Sequence, residues 1–345
     1  MMETEKQEKK TILLIGDKTS KRSLFFRKAA EDLGVLLRIV DWNSLTGQFD
    51  LDEFQGAAVK IDPPSYSIVQ LCQMKEQLDI YQKKLHYLEK AGCQFLNPPE
   101  LICRLLDKQE TNRFLKTQGL LVTTMFPEEI KTAFQLEEVL REKRCYSAFV
   151  KPRYFSGAAG VAAFRMHPAG KSKKLYTSCR FRQGRLINTK KLVCLEDPEE
   201  IRCLLDRLLS LECVVERWHP KADFHGKTFD LRIVFQFGHI AYMIARQSDG
   251  PITNLHLNNQ ARNIRELGLD QTVIRQIGLV CKQAYEAYTK TLDGGVNMLG
   301  IDLLLEKGTL KPRVIELNGQ GDCIYRDIYG ENRIYQEQTR FLSGI

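Results

Sequence analysis

Apolar and polar positions follow two different rhythms along this chain. The N-terminal third has short, wholly apolar runs separated by stretches of helical spacing, and the remainder has longer runs that alternate apolar with polar. Residues 11–16 are an apolar strand-type run, and 20–33 predict a helix with Leu24, Phe25, Ala29 and Leu33 on one side. Residues 35–42 and 56–61 return to strand. Strand, helix and strand in that order predict a parallel sheet, because parallel neighbours need a crossover. Pro63 and Pro64 end the third run, and 66–90 predict a long helix striped by Leu71, Met74, Leu78, Tyr81, Leu85 and Leu88. A strand ending at Pro98 and Pro99 marks a domain boundary.

Beyond it, a short helix over 101–106 precedes a second that Asp107 caps and that runs to Gly119. Residues 147–152 predict a strand, 156–161 a loop of small residues, and a further strand follows. Such a loop can turn its backbone N–H groups toward a phosphate, although a plain glycine–alanine turn reads the same way. Asp197 and Pro198 open a helix to 209, followed by a strand at 213–218. Strands at 229–234 and 240–246 flank the turn Phe237-Gly238-His239; on the first, Arg232 and Asp230 are two apart and share a face. A helix over 270–292 then leads to a hairpin, 300–305 and 311–319, turning at 306–309. The expected domains are 1–98, 99–212 and 213–345, the first a parallel-sheet α/β unit and the others α+β.

The hairpin carries the clearest candidate chemistry. Glu316 and Asn318 lie two apart on its second strand and Asp302 lies early on its first, so three oxygen donors can converge. Two carboxylates and an amide suit a hard cation such as Mg²⁺, whose shell phosphate oxygens complete; an ordinary hairpin with polar ends is the alternative.

Composition narrows the classes. At 345 residues, 43% hydrophobic and 27% charged, the chain has the length and balance of a globular protein of two or three domains. No apolar run reaches the roughly 20 residues that span a bilayer, so no membrane role is expected. Residues 1–10 are charged and lack the apolar core of a signal peptide, and the ten cysteines form no CxxC pair; both features predict a cytoplasmic protein with reduced thiols. The net charge of +8 is modest, with basic groups at 171–174 and 180–185, and predicts no nucleic-acid partner.

From Asn97 to Gly321 the ordered motifs resemble the ATP-grasp superfamily and, within it, the RimK-type carboxylate–amine ligases. Asp107-Lys108 looks like the entry to the ATP-binding half, Phe149-Val150-Lys151-Pro152 like the second phosphate-lysine strand, and 156–161 like the glycine-rich flap. The resemblance implies an ATP-grasp fold: an N-terminal parallel-sheet, pre-ATP-grasp-like domain and two α+β subdomains enclosing ATP. It implies nucleotide contacts from Lys108, Lys151, Ser156, Gly157, Ala158, Gly160, the hinge residues Glu216, Arg217 and Trp218, and the ribose ligand Asp223. Asp230, Asn254 and His256 would bind substrate, Arg232 and Arg246 would be catalytic, and Asp302, Glu316 and Asn318 would hold Mg²⁺, two ions with Mn²⁺ as an admissible substitute. Two departures fall at acceptor-facing loops: Leu257-Asn258-Asn259 replaces a basic, glycine-containing segment, and Gly319-Gln320-Gly321-Asp322 replaces a run of small residues.

The implied activity is an ATP-dependent ligase joining a carboxylate to an amine through an acyl phosphate, with small-molecule or peptide substrates. Two alternatives stay open: a regulatory nucleotide-binding protein of the same fold, and a ligase that modifies a ribosomal peptide. The loops 17–22 and 62–65, at strand ends of the first domain, are expected to border the substrate. The oligomeric state is left open, a dimer included, because 332–345, with Ile334, Phe341 and Leu342, can pack on its own domain or on a partner.

Overall fold

The structure, a computed structural model, describes residues 11–47, 49–64, 71–154, 159–257, 259–292, 295–321 and 328–345. Its first layer holds β1 (Ile12–Ile15), α1 (Lys21–Asp32), β2 (Leu37–Val40), β3 (Ala58–Ile61), α2 (Met74–Glu89) and β4 (Gln94–Phe95). The strands form a parallel sheet in the order β2-β1-β3-β4. All six residues of the expected stripe from Leu71 to Leu88 are buried. Helix α1 starts where Ser20 accepts the Ser23 N–H, but it is rotated from the expected face: Ser23, Phe26, Ala29 and Ala30 are buried and Leu24 is 49% exposed. Phe25 and Phe26 are adjacent, and Phe26 takes the inward position because it meets Tyr335 edge-on at 5.9 Å.

The chain then forms α3 (Pro99–Leu106), α4 (Lys108–Thr117) and α5 (Ala133–Glu142). Next come β5 (Ser147–Pro152), β6 (Ala162–Met166), β7 (Lys173–Arg182), β8 (Arg185–Leu195), α6 (Pro198–Leu209) and β9 (Cys213–Arg217). These strands make an antiparallel sheet ordered β8-β7-β6-β5-β9, with α5 and α6 over its apolar face. Strand β9 pairs with β5, so the passage to the third sheet comes after Arg217. Asp197 caps α6 ahead of Pro198, as the sequence predicts.

The last sheet contains β10 (Asp223–Phe224), β11 (Lys227–Gln236), β12 (His239–Ser248), β13 (Gln260–Asn263), β14 (Met298–Leu305) and β15 (Pro312–Asn318), covered by α7 (Gln271–Thr289). Its order is β13-β12-β11-β14-β15, with β10 on β11. Leu101 and Leu105 of α3 and Leu115 of α4 pack into this core, so these helices support the third sheet. Helix α8 (Arg333–Ser343) returns to the first layer, where Ile334 and Leu342 join Ile12, Phe26 and Val234 in one core; Phe341 meets Phe237 at 4.9 Å. The C-terminal apolar residues thus pack on their own chain.

No described helix is long and apolar enough to cross a membrane. The nine cysteines among the described residues are free thiols, and burial pushes Cys93 and Cys179 up to about 11 and Cys103 and Cys281 up to about 12.

Candidate active site

One face of the third sheet gathers the charged residues by register. Arg232 on β11 lies opposite Asp302 on β14, which lies opposite Glu316 on β15; two positions along, Asp230 lies opposite Arg246 on β12. Cross-strand partners share a face, so the five side chains project together. Regular alternation would have turned Val314 and Glu316 the same way. The register shifts after Asp302, which lets Val314 join Leu303 in the core while Glu316 stays on the site face. Asn318 lies opposite Gly300, where a Cβ would collide with the backbone of Gly321. A Cβ on Gly321 would in turn come within 2.7 Å of Arg232 Nη2 and Asn318 Cβ. Both glycines are therefore required by close approach around Asn318. The Asn318 amide satisfies both its atoms when its oxygen accepts from Arg232 Nη1 (3.1 Å) and its nitrogen donates to Glu316 Oε1 (3.3 Å).

Across the cleft, the second sheet brings its own pair. Lys151 Nζ donates to Glu216 Oε2 at 2.7 Å between neighbouring strands, both side chains buried. Lys108 opens α4, whose cap Asp107 also receives three bonds from Arg153, Nε to Oδ1 at 2.9 Å and to Oδ2 at 3.0 Å, and Nη2 to Oδ2 at 2.5 Å. The Lys108 N–H donates to the Arg153 carbonyl at 3.0 Å, which ties the start of α4 to the strand leading into the glycine-rich loop. Burial pushes the Lys108 ammonium below its usual range; Glu316 opposes that and Lys151 adds to it.

Two connections staple the sheets together. The segment after α4 bridges Val122 to Val314 on β15 and Met125 to Glu216 on β9, and the segment after β9 bridges Lys221 to Glu306. The cleft between the sheets is open to solvent on one side and has a volume of about 90 Å³.

Ion pairs fill the floor of the cleft. Asp230 Oδ1 accepts from Arg246 Nε at 2.7 Å, and Oδ2 accepts from Lys221 Nζ at 3.3 Å and from the Thr253 hydroxyl. Asp302 is held by Arg232 Nη1 at 2.5 Å and Arg246 Nη2 at 3.1 Å. Burial alone would raise the Asp230 carboxyl, but Arg246 and Lys221 hold it well below the usual carboxylate range. Burial likewise opposes the charge on Arg246, and Asp230 and Asp302 more than restore it.

Of the residues expected from sequence, Lys108, Lys151, Glu216, Arg217, Asp230 and Asn254 line this cleft together with Asp302 and Glu316. Arg232, Arg246 and Asn318 stand behind the lining and contact its carboxylates. Trp218 packs on Phe149 and Tyr176 beside the cleft. Asp223 is not brought to the cleft: it is exposed on β10 and pairs with Lys307 at 2.7 Å. Gly160 adopts φ +73°, where a Cβ would strike Pro152. Ser156, Gly157 and Ala158 lie outside the described residues, as does Ser65, and so does the side chain of His256, whose backbone forms a short turn at Leu255–Leu257. In the first layer, Arg22 donates to the Gln320 carbonyl at 2.9 Å, and Asp62 is buried against Lys60.

The cleft also contains three residues that the sequence reading passed over. Lys221 donates to Thr253 Oγ1 at 2.7 Å as well as to Asp230, and burial pushes its ammonium down. His219 Nε2 accepts the Thr124 N–H at 3.2 Å, and burial beside Arg313 and Arg217 lowers its imidazole to about 4. Only the alternation of β11, which points Asp230 inward, hints that a nearby lysine is needed. No group of three or more His, Cys, Asp or Glu placed to hold a metal occurs among the described residues. A metal here would rely on Asp302, Glu316 and the Asn318 amide, with other oxygens from its ligand.

No family model and no curated protein sequence matches the chain. Solved structures do. The D-cycloserine synthetase DcsG superposes with a TM-score of 0.64 at 16% identity, over 96% of this chain and 99% of that one. The macrocyclase MdnC from Microcystis aeruginosa, bound with precursor peptide MdnA, gives 0.61 at 14%, over 97% and 100%. An ADP complex of the N5-carboxyaminoimidazole ribonucleotide synthetase PurK gives 0.62 at 13%, over 97% and 77%. Another neighbour, PsnB, is described as an ATP-grasp ligase, at a TM-score of 0.56 and 13% identity. At these identities the likeness establishes the architecture alone: the chain has the ATP-grasp fold.

Proposed function

We propose that this protein is an ATP-dependent ligase that joins a carboxylate to an amine through an acyl phosphate. The observation that carries the reading is the direct cross-strand pairing of Asp302 with Glu316, beside Asn318 and facing Lys108 and Lys151. Like charges set opposite each other on a sheet destabilise it unless something neutralises them. Here Arg232 and Arg246 neutralise Asp302, while no ion pair to Glu316 is formed among the described residues. The set therefore fits Mg²⁺, which would be held by Asp302, Glu316 and Asn318 and would neutralise charge on a transferring phosphoryl group.

In this reading Lys108 and Lys151 bind the phosphates of ATP as compact charges, and the loop before Val161 covers them. The substrate carboxylate attacks the γ-phosphorus, ADP leaves, and the amine then displaces phosphate from the acyl carbon. Beside a cation held by Asp302, the guanidinium groups of Arg232 and Arg246 would offer N–H donors to the carboxylate and acyl-phosphate oxygens. Lys221 and Thr253 keep Asp230 ionised and fixed, so Arg246 stays aimed. Asn254, two positions before His256, borders the acceptor side.

A second reading, a ligase acting on a peptide, is favoured by the precursor peptides bound to MdnC and PsnB. The test is ADP and phosphate release from Mg-ATP against a panel of amino acids, dipeptides, small acids and acidic peptides, with Glu316→Ala as control. Release that requires an acid together with an amine and vanishes in the control is the expected result. Tight ATP binding with no release across the panel favours the regulatory nucleotide-binding alternative.

A further inference from the structure

The positive charge of this chain has a location. From Lys143 to Leu195 there are thirteen Lys and Arg and no Asp or Glu; the rest holds the other 38 of 51 basic residues against all 43 acidic ones. The whole excess of charge therefore belongs to the sheet of β5–β8, while the remainder is net acidic.

Part of that excess is paired from outside the stretch: Lys151 with Glu216, Arg153 with Asp107, Lys173 with Glu137 and Lys174 with Glu196. The tip of the β7–β8 ribbon is different. Arg180, Arg182 and Arg185 are exposed and form no ion pair among the described residues, and Phe181 between them is 40% exposed. Arg182 lies directly opposite Arg185, and Arg180 is two residues from Arg182, so the three share one face. Like charges directly opposite each other weaken a sheet, so the arrangement opposes folding and calls for an external anion.

The ribbon also has a direction. Strand β6 begins at Ala162, opposite Thr177, and β7 runs on from there to Arg182, past the end of β6 where the glycine-rich loop leaves β5. Gly160 N–H reaches Asn188 on the returning strand at 3.4 Å. On β7, Leu175 and Cys179 face the α5–α6 core, so Tyr176, Arg180 and Arg182 take the other face, which packs on Ile252 and Leu257 beside Asn254. The unpaired arginines thus stand on the cleft side of the sheet, at the loop end.

We propose that this ribbon face is a docking surface for an acidic peptide segment. The inference rests on the ligase reading for its choice of occupant: a site that activates carboxylates is served by a partner rich in them, and guanidinium groups match carboxylates in two-pronged geometry. A nucleic acid shares the charge but would use aromatic platforms, and Phe181 is the single aromatic between the arginines.

The test is direct binding, read without turnover. Fluorescein-labelled oligoglutamate, a length-matched glycine–serine peptide and a length-matched oligothymidylate are titrated against the full chain at physiological ionic strength. The same titrations are run on R180E/R182E/R185E, with Mg-ADP affinity as the check on folding and on the cleft. The expected result is selective binding of oligoglutamate, weakened about tenfold or more by the triple reversal, with Mg-ADP affinity unchanged. Unchanged oligoglutamate binding in the variant overturns the proposal. So does tighter binding of oligothymidylate, which makes the surface a nucleic-acid site, and so does loss of Mg-ADP affinity with oligoglutamate binding retained, which makes the ribbon a nucleotide lid. Absence of ligase turnover would count against the proposed function and leave these binding outcomes intact.

Discussion

Lys60 and Asp62 form a buried ion pair at the end of β3, under the rings of Phe26 and Tyr335, 5.5 and 5.3 Å from the ammonium. On the third sheet, the buried Asp230, Arg246 and Asp302 and the partly buried Arg232 form a chain of ion pairs. The first assembly is closed off from solvent: Lys60 and Asp62 lie inside a core shared with α1 and α8. The second is open, because Asp230 and Asp302 line a cleft and Glu316 adds a further carboxylate opposite Asp302. Buried charge alone is therefore poor evidence of a site. Surplus acid on a face that opens to a cleft is better evidence, because it stores capacity for a ligand cation.

The largest expected effect is at the surplus carboxylate. Glu316→Ala should bring ADP release to background while the melting temperature stays at the wild-type value, since a half-exposed hairpin-end side chain is removed and no core is lost. Turnover within tenfold of wild type would move the metal site elsewhere. Arg246→Lys comes next: it keeps one positive charge but cannot bridge Asp230 and Asp302, and it should lower kcat by about 10²-fold with a small loss of stability. The alanine variant would confound the two, since stranding buried carboxylates costs about 3–5 kcal/mol.

The closed pair should behave in the opposite way. Lys60→Met strands Asp62, whose Oδ2 has no hydrogen-bond partner among the described residues, and should cost about 3–5 kcal/mol in denaturant unfolding while the folded fraction keeps its turnover. Adding Asp62→Leu should recover most of that loss. A double variant as unstable as the single one, or a fall in kcat at unchanged stability, would make the N-terminal pair part of the site and erase the contrast.

The sequence disclosed whatever depends on neighbours along the chain. Asp107 and Asp197 cap the helices they are expected to cap, and the 300–318 hairpin forms with Asp302 facing Glu316. What depends on long-range register stayed hidden. The partner of Arg232 is 70 residues away on β14, and Thr253 reaches Asp230 from a loop. The inward face of α1 differs from the expected one because Leu24 and Phe26 are both apolar, and Phe26 packs into a core that includes Tyr335 from the far end of the chain. Asp223 was placed by motif spacing, yet the pairing of β10 with β11 turns it toward Lys307.

His219 is half-buried on the seam where the segment after α4 crosses β9, and its titration sharpens the contrast with the smallest effect. As a neutral ring it accepts the Thr124 N–H, and burial with Arg313 and Arg217 nearby lowers it from 6.5 to about 4. Above 6.5 neither folded nor unfolded chain carries the proton, so the histidine contributes no pH dependence. Between 6.5 and about 4 the unfolded chain takes up the proton and the folded chain does not, so stability falls as pH falls through that window. Full linkage would give about 3 kcal/mol, and partial solvent access reduces this to about 1–2 kcal/mol. His219→Gln removes the titration, so wild type should lose about 1–2 kcal/mol more than the variant across the window, in paired urea unfolding curves. A constant difference between the two proteins would mean that the ring is solvated.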